Sequence, residues 1–232
     1  MSTSRQAFAK LLRTAVTLVN AHGFTREALA RSVLSLPSGE AHTTPLTDTA
    51  VSALFGKGDD ARRTLIDAWM KEGLRHMARV PGVVQPLDNT TPTNTSGKAT
   101  IRDVLRSRLE YNEPALQYLP EAFALLASPS SGLPPLDPRP ALKHAFKIAD
   151  EACYVTGDEA LQLDWYARRG SFAVVYATAE LHQLTSPNTA PAFLDSLLET
   201  NAKIKSSLAE VELFSSYIYK SCKGIAKSSG VF

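Results

Sequence analysis

The side chains that most often carry out chemistry in proteins are histidines, cysteines and paired carboxylates, and this chain contains all three. Its five histidines are widely spaced, and none forms the Glu-x-x-His or His-x-x-x-His spacing that places metal ligands on one helix face. They are His22, His42, His76, His144 and His182. We therefore expect no metal site.

The remaining candidates for chemistry also favour structural roles. Asp59 with Asp60, and Asp158 with Glu159, are adjacent carboxylates whose positions suit the starts of helices. Cys153 and Cys222 are too few for a disulfide scaffold, and we expect free thiols in a reducing compartment. The chain contains no Gly-x-Ser-x-Gly motif and no phosphate-cradling glycine loop. We nominate no catalytic residue and no cofactor, and we expect the protein not to be an enzyme.

The segments that must position any site have the spacing of helices. Apolar residues recur at three- and four-residue steps, and no segment alternates as a strand would. We predict an all-α bundle of about nine or ten helices, in which Pro120 kinks or breaks its helix. The helices are expected over 4–21, 26–35, 48–55, 60–79, 99–112, 114–127, 138–155, 161–184, 191–208 and 210–227. The chain divides into N-terminal helices (1–80), a flexible linker (81–98), a central group (99–208) and a C-terminal amphipathic helix (209–232).

Composition excludes some classes of partner. The net charge is only +2 and aromatic residues make up 8% of the chain, so neither a polyanion field nor a base-stacking surface is indicated. No apolar run reaches the length of about 18 residues that a bilayer span requires. The basic, acid-free start of the chain suits either a mitochondrial presequence or a first helix. We favour the helix, with any presequence absent or removed, because Gly23 is a natural helix end and Thr25 a natural cap.

The first three helices resemble the helix-turn-helix unit of TetR regulators, which makes a ligand-sensing DNA-binding regulator the alternative function. Two features argue against it. The turn is lengthened by SLPSGEAHTTPLTDT, far beyond a DNA-reading turn. Residues 22–60 contain three basic and five acidic side chains, which gives −2 where a groove-binding unit should be basic.

A second set of residues points to a particular family. The set comprises His22-Gly23-Phe24-Thr25, Leu54-Phe55-Gly56-Lys57, Arg108-Leu109 before Pro114 and Pro120, and Gly157-Asp158…Trp165-Tyr166-Ala167-Arg168-Arg169…Tyr176-Ala177-Thr178-Ala179-Glu180-Leu181. Over about residues 5–208 it resembles the coenzyme Q (ubiquinone) accessory lipid-binding family of mitochondria. The Gly-Asp…Trp-Tyr-x-Arg-Arg block is the specific part of this resemblance.

The resemblance implies a TetR-like fold that has lost DNA binding and kept a ligand cavity. It further implies an isoprenoid quinone lipid as ligand, a homodimer, and a place on the matrix side of the inner mitochondrial membrane. The implied partners are the demethoxyubiquinone hydroxylase, which would carry the chemistry, and other ubiquinone-biosynthesis proteins. Nucleic acid is not among them. The chain departs from the family pattern in its long first turn, its Pro-rich loop at 128–140 and its short final segment.

Two site hypotheses follow from the central helices. Their apolar faces suit either a packed core or a cavity, and if they form a cavity we expect it to bind the lipid. The expected lining is Leu105, Leu109, Leu116, Leu119, Phe123, Leu126, Phe146, Phe172, Val175 and Tyr176. Trp165, Tyr166 and Arg169 share one helix face, as binding hot spots do, although an Arg stacked on a buried Trp is also a common structural pair. The resemblance favours a hydroxylase-binding surface.

The C-terminal helix supplies the third hypothesis. From residue 213 onward every charged residue is a lysine, and apolar and aromatic residues recur at helical steps. Such a helix is typical of a peripheral membrane contact, although it could instead fold back on the core or on a second subunit. The expected contact residues are Val211, Phe214, Tyr217, Ile218, Lys220, Lys223 and Ile225.

Overall fold

The structure is a computed structural model that describes residues 2–37, 39–83, 97–128, 136–158 and 162–207. These residues form α1 (Ser2–His22), α2 (Arg26–Arg31), α3 (Asp48–Phe55), α4 (Asp59–Met77), α5 (Ile101–Asn112), α6 (Leu119–Ala127), α7 (Arg139–Val155), α8 (Gln162–Thr185) and α9 (Ala190–Ser207). Short 3-10 turns occupy Ser32–Ser35, Glu113–Tyr118 and Pro187–Thr189. The described residues contain no strand, and the prediction of an all-α, TetR-like bundle is confirmed.

The junction between α1 and α2 forms where the sequence indicates. Gly23 has φ of 64°, and its N–H donates to the carbonyl of Val19 at 2.8 Å, which ends α1. The side chain of Thr25 accepts from the backbone N–H of Ala28 at 3.3 Å and caps α2. A Cβ atom on Gly23 would lie 2.8 Å from the ring of Tyr118, so this glycine also permits close packing.

The predicted break at Pro120 is confirmed as a change of helix type. After α5 the chain forms the 3-10 turn Glu113–Tyr118, and α6 begins at Leu119 with Pro120 in its first turn. Proline suits that position because its missing N–H has no partner inside the helix there. The helix expected over 114–127 is therefore a 3-10 turn followed by a shorter α-helix.

Two cores hold the bundle together. The first packs α1–α4 around Leu65, Ile66 and Trp69, and it also takes Ala115 and Leu119 from beyond the linker. The second packs α5, α7, α8 and α9 with the end of α4, around Leu105, Ile148 and Tyr176. On either side of residues 84–96, the N–H of Ala99 donates to the carbonyl of Gly82 at 2.9 Å. The helices before and after the linker therefore share apolar packing.

Candidate functional site

An open apolar pocket lies between α6, α7 and α8, with a volume of about 360 Å³. That volume falls within the range of about 300–1,000 Å³ that is usual for small-molecule sites. The pocket is lined by Met70, Phe123, Leu126, Ala127, Pro138, Ala141, Leu142, His144, Ala145, Phe146, Ala173, Val174, Ala177, Thr178, Glu180 and Leu181.

The sequence makes this pocket by placing small side chains where α7 and α8 approach each other. Ala145 and Ala173 are buried at the helix contact, and Ala177 lies beside them on the pocket wall. Larger apolar side chains stand around the opening and are 49–68% exposed; this rim consists of Leu142, Phe146, Val174 and Leu181. Contiguous exposed apolar surface of this kind marks a binding site more often than a lone exposed leucine does.

The innermost wall of the pocket is polar. His144 and Glu180 line it, and each is more than nine-tenths buried. The Nε2 atom of His144 lies 3.3 Å from Oε1 of Glu180, and the hydroxyl of Tyr176 donates to the same oxygen at 2.8 Å. The amide of Asn112 donates to this oxygen as well, at 3.1 Å.

Arg108 completes this buried polar network, which we define as Arg108, Asn112, His144, Tyr176, Glu180 and Gln183. The fully buried guanidinium of Arg108 donates to the amide oxygen of Asn112 and lies 5.0 Å from the ring centre of Trp69. Its Nε and Nη2 atoms have no hydrogen-bond partner. A Cβ on Gly73 would lie 2.9 Å from the guanidinium carbon, so the glycine leaves room for it.

The network keeps Glu180 ionised. Burial acts to raise the pKa of Glu180. The charges of His144 and Arg108 and the hydrogen bonds from His144 and Tyr176 outweigh burial and lower the pKa to about 2. Burial raises the pKa of Tyr176 well above its usual value, so its hydroxyl stays a donor. The pocket therefore ends at a fixed carboxylate that accepts hydrogen bonds.

The structure brings only part of the predicted lining to this pocket. Phe123, Leu126 and Phe146 line it. The other predicted residues pack elsewhere: Leu105, Leu109, Val175 and Tyr176 in the second core, Leu116 and Leu119 in the first, and Phe172 in a small cluster between α7 and α8. His144 and Glu180 were missed, although a histidine and a glutamate on otherwise apolar helix faces were the available signal.

The aromatic cluster of Trp165, Tyr166 and Arg169 forms near the start of α8. The guanidinium carbon of Arg169 lies 3.9 Å from the ring centre of Trp165, and the rings of Trp165 and Tyr166 meet edge to face at 4.7 Å. Tyr166 is 70% exposed, Trp165 is half-buried and Arg169 is buried. The Nε atom of Arg169 donates to Asp150 at 2.6 Å. The buried guanidinium of Arg169 thus supports the indole of Trp165, and the two aromatic rings form the accessible part of the cluster.

Other sequence-predicted residues have structural positions. Asp59 and Asp60 begin α4, as predicted. Asp158 instead lies in the turn after α7, where its carboxylate pairs with Arg168. Cys153 is a free, buried thiol, and burial raises its pKa to about 11, which keeps it protonated. Cys222 lies outside the described residues.

The helix-turn-helix resemblance does not produce a basic surface around Arg26. The guanidinium of Arg26 donates to the carboxylate of Asp48 at 2.6 Å and to the hydroxyl of Ser52 at 2.7 Å. Arg31 pairs with Glu27 at 2.8 Å. These cations are therefore neutralised within the protein.

The membrane hypothesis concerns residues that the structure does not describe. Val211, Phe214, Tyr217, Ile218, Lys220, Lys223 and Ile225 all lie beyond residue 207. Among the helices in the described ranges, none is both long and apolar enough to cross a bilayer. Within the same ranges, no three His, Cys, Asp or Glu side chains are grouped to hold a metal ion.

Fold and pocket together define a class, an all-helical bundle with an open apolar pocket that ends in a polar wall. Comparison with known proteins names the family. The family model described as COQ9 matches residues 139–205, which comprise α7, α8 and most of α9. Residues 139–205 are thus similar to the COQ9 family, in agreement with the resemblance seen in the sequence.

Curated relatives agree with the family match. Ubiquinone biosynthesis protein COQ9, mitochondrial, of Bos taurus is 26% identical over 188 residues, which are 80% of this chain and 52% of the relative. The Homo sapiens protein of that name is 26% identical over 187 residues, with coverages of 80% and 52%. The Drosophila melanogaster protein is 29% identical over 139 residues, with coverages of 55% and 41%. The chain spans about half the length of the curated relatives that it matches.

Proposed function

We propose that this chain acts in ubiquinone biosynthesis in mitochondria as a lipid-binding accessory protein. It binds an isoprenoid quinone intermediate in the apolar pocket and presents it to the demethoxyubiquinone hydroxylase, which carries out the reaction. The observation that supports this most directly is the pocket between α6, α7 and α8, with its exposed apolar rim. The names of the relatives supply the pathway and the compartment.

The physical need for such a protein comes from the tail of the lipid. Moving a polyprenyl chain from the bilayer into water costs roughly 0.8 kcal/mol for each CH2 group that is uncovered. The apolar walls of the pocket, which include Phe123 and Leu181, replace the bilayer around the isoprene units nearest the ring. The barrier to lifting the ring out of the membrane falls accordingly.

Filling the pocket tests lipid binding. Ala177→Phe adds a ring on the pocket wall, whereas Ala202→Phe adds the same ring to an exposed position on α9, away from the pocket. Native mass spectrometry and solvent extraction of purified protein should find lipid in the parent and in Ala202→Phe, and at least tenfold less in Ala177→Phe. Equal lipid content in all three proteins would rule this pocket out.

Capture of the hydroxylase depends, in this proposal, on the aromatic cluster. Trp165→Lys and Tyr166→Lys should each weaken binding of the hydroxylase at least about tenfold, or roughly 1.4 kcal/mol. The control is Leu54→Lys, which changes an exposed apolar residue on α3. Bound lipid and the thermal transition should be unchanged in all three variants. Full capture by both cluster variants would refute the assignment, as would loss of their thermal transition.

The proposal also places the protein on the matrix side of the inner membrane, as a homodimer that touches the bilayer through residues 209–232. Phe214→Asp with Ile218→Asp should abolish flotation with cardiolipin-containing liposomes while the far-UV helical signal persists. Unchanged flotation would move the contact elsewhere. Sedimentation equilibrium tests the dimer, and a monomer at every concentration would exclude it.

The assignment of the reaction to the partner has its own test. The purified chain, assayed for bound metal and for turnover of a demethoxyubiquinone substrate, should show neither. Turnover by the chain alone would make it an enzyme.

A further inference from the structure

On the polar wall of the pocket, His144 has a ring nitrogen that lacks a hydrogen-bond partner among the described residues. His144 is 7% exposed and lines the pocket, and its Nε2 atom faces Glu180. Its Nδ1 atom makes no hydrogen bond with any residue in the described ranges. The atom is not among the fully enclosed polar atoms that lack a partner, so it is accessible from the pocket, and a ligand group that enters the pocket can bond to it.

The state of the imidazole follows from Glu180. An ionised carboxylate only accepts hydrogen bonds, so the hydrogen on His144 must sit on Nε2. The free Nδ1 atom is then an acceptor in the neutral imidazole and a donor in the imidazolium. A hydroxyl group can pair with Nδ1 in both forms, because it both donates and accepts. A carbonyl or ether oxygen only accepts, so it can pair with Nδ1 only in the imidazolium.

We infer that the pocket selects an apolar ring that carries a free hydroxyl, a phenol or a hydroquinone, and that this hydroxyl bonds to Nδ1 of His144. The inference rests on the proposed lipid-binding function and specifies the head group. Phe123 supports it, because its ring centre lies 6.1 Å from that of His144 and offers an apolar side for a ligand ring. The hydroxyl of Thr178 donates to the carbonyl of Val174 at 2.8 Å, so it has no hydrogen left to donate to a ligand and can only accept from one.

Equilibrium dialysis with two tail-matched ligands tests the inference. One ligand is a prenylated phenol, and the other is its methyl ether, which lacks only the donor hydrogen and gains a methyl group. The parent protein should bind the phenol about tenfold more tightly, which corresponds to one buried hydrogen bond. Equal binding overturns the head-group inference and leaves lipid binding intact, whereas failure of both ligands to bind overturns the inference and the pocket together.

Three variants assign the preference to one ring atom. Glutamine at position 144 places its amide where Nε2 lies, so His144→Gln keeps a partner for Glu180 and removes the group at Nδ1. We expect it to fold and to bind both ligands equally. Asparagine places its amide near Nδ1, so His144→Asn should keep the preference. Thr200→Val makes a polar-to-apolar change at an exposed position on α9, away from the pocket, and should also keep it. An unchanged preference in His144→Gln, or its loss in Thr200→Val, would refute the role of His144.

Discussion

Helices α7 and α8 are apolar on two sides, of which one is packed in a core and the other lines the pocket. On the side toward α5 and α9, Ile148, Tyr176 and Ala179 are completely buried in the second core. On the side toward α6, Phe146 and Val174 stand exposed at the opening of the pocket. Close packing makes the first side rigid, whereas the alanines on the second leave space. Apolar character alone thus does not distinguish a core from a site.

The polar network separates these two sides. Glu180 faces the pocket together with His144, while Asn112 and Arg108 extend from it into the interior between α4, α5 and α8. Its charges are buried, and buried charges are tolerated only when they are paired. The core side therefore depends on the network for stability, and in our proposal the pocket side depends on it for the identity of its ligand.

The largest expected effect comes from breaking the network on its core side. Arg108→Met removes the cation and leaves the Glu180 carboxylate buried with less compensation, so the free energy of unfolding should fall by about 3–5 kcal/mol. Urea unfolding measures this loss. Adding Glu180→Gln should restore much of it, because the second variant removes the stranded charge. A loss below about 1 kcal/mol in the single variant would contradict this account.

The next effect sharpens the contrast between core and pocket. Leu109→Ala removes a side chain that is 1% exposed in the second core, and it should lower the free energy of unfolding by about 2–5 kcal/mol. The loss combines the transfer free energy of the deleted atoms with the cavity left behind. Chemical denaturation checks it, and a loss below 1 kcal/mol would mean that this side is loosely packed.

A third effect is a change of stability with pH. The folded state lowers the pKa of Glu180 from 4.5 to about 2, so the unfolded chain binds the proton more tightly. The stabilisation is complete above about pH 4.5 and is lost as pH falls towards 2, by at most about 1.4 kcal/mol for each pH unit. Thermal unfolding of the parent and of Glu180→Gln between pH 6 and 2.5 should show a shallower dependence in the variant. Parallel curves would show that other carboxylates dominate.

Most of the fold was predictable because local signals decide it. Gly23, Thr25 and Pro120 act within one helical turn, and each has the predicted type of structural effect. The caps that the structure shows at Thr47 and Thr100 are equally local. The extent of the helices was less predictable, since Ser32–Ser35 and Glu113–Tyr118 continue helical patterns in 3-10 geometry. That choice depends on tertiary packing.

The site was predictable only in part because both faces of α7 and α8 are apolar. Helical spacing groups Phe172, Val175 and Tyr176 into one stripe, and the stripe lies in packed clusters and not on the pocket wall. Which stripe meets a neighbour depends on how helices far apart in sequence cross. The buried polar network could not be predicted from the sequence either, because Arg108 and Glu180 are 72 positions apart and interact through Asn112.

Leu181→Ala should have the smallest effect on stability, and it is the sharpest test of the difference between the core side and the pocket side of α7 and α8. Leu181 is 63% exposed on the rim, so its truncation leaves no internal cavity and should change the free energy of unfolding by no more than about 0.5 kcal/mol. Leu109→Ala deletes the same atoms from the core, which makes the two variants a matched pair. Leu181→Ala should nevertheless retain less lipid after purification, because in the proposed mode of binding the rim covers the part of the tail that leaves the pocket. Urea unfolding and lipid extraction on the same samples separate the two quantities. A loss of stability like that of Leu109→Ala would make the rim part of the core. Full stability with full lipid retention would mean that the tail follows another path.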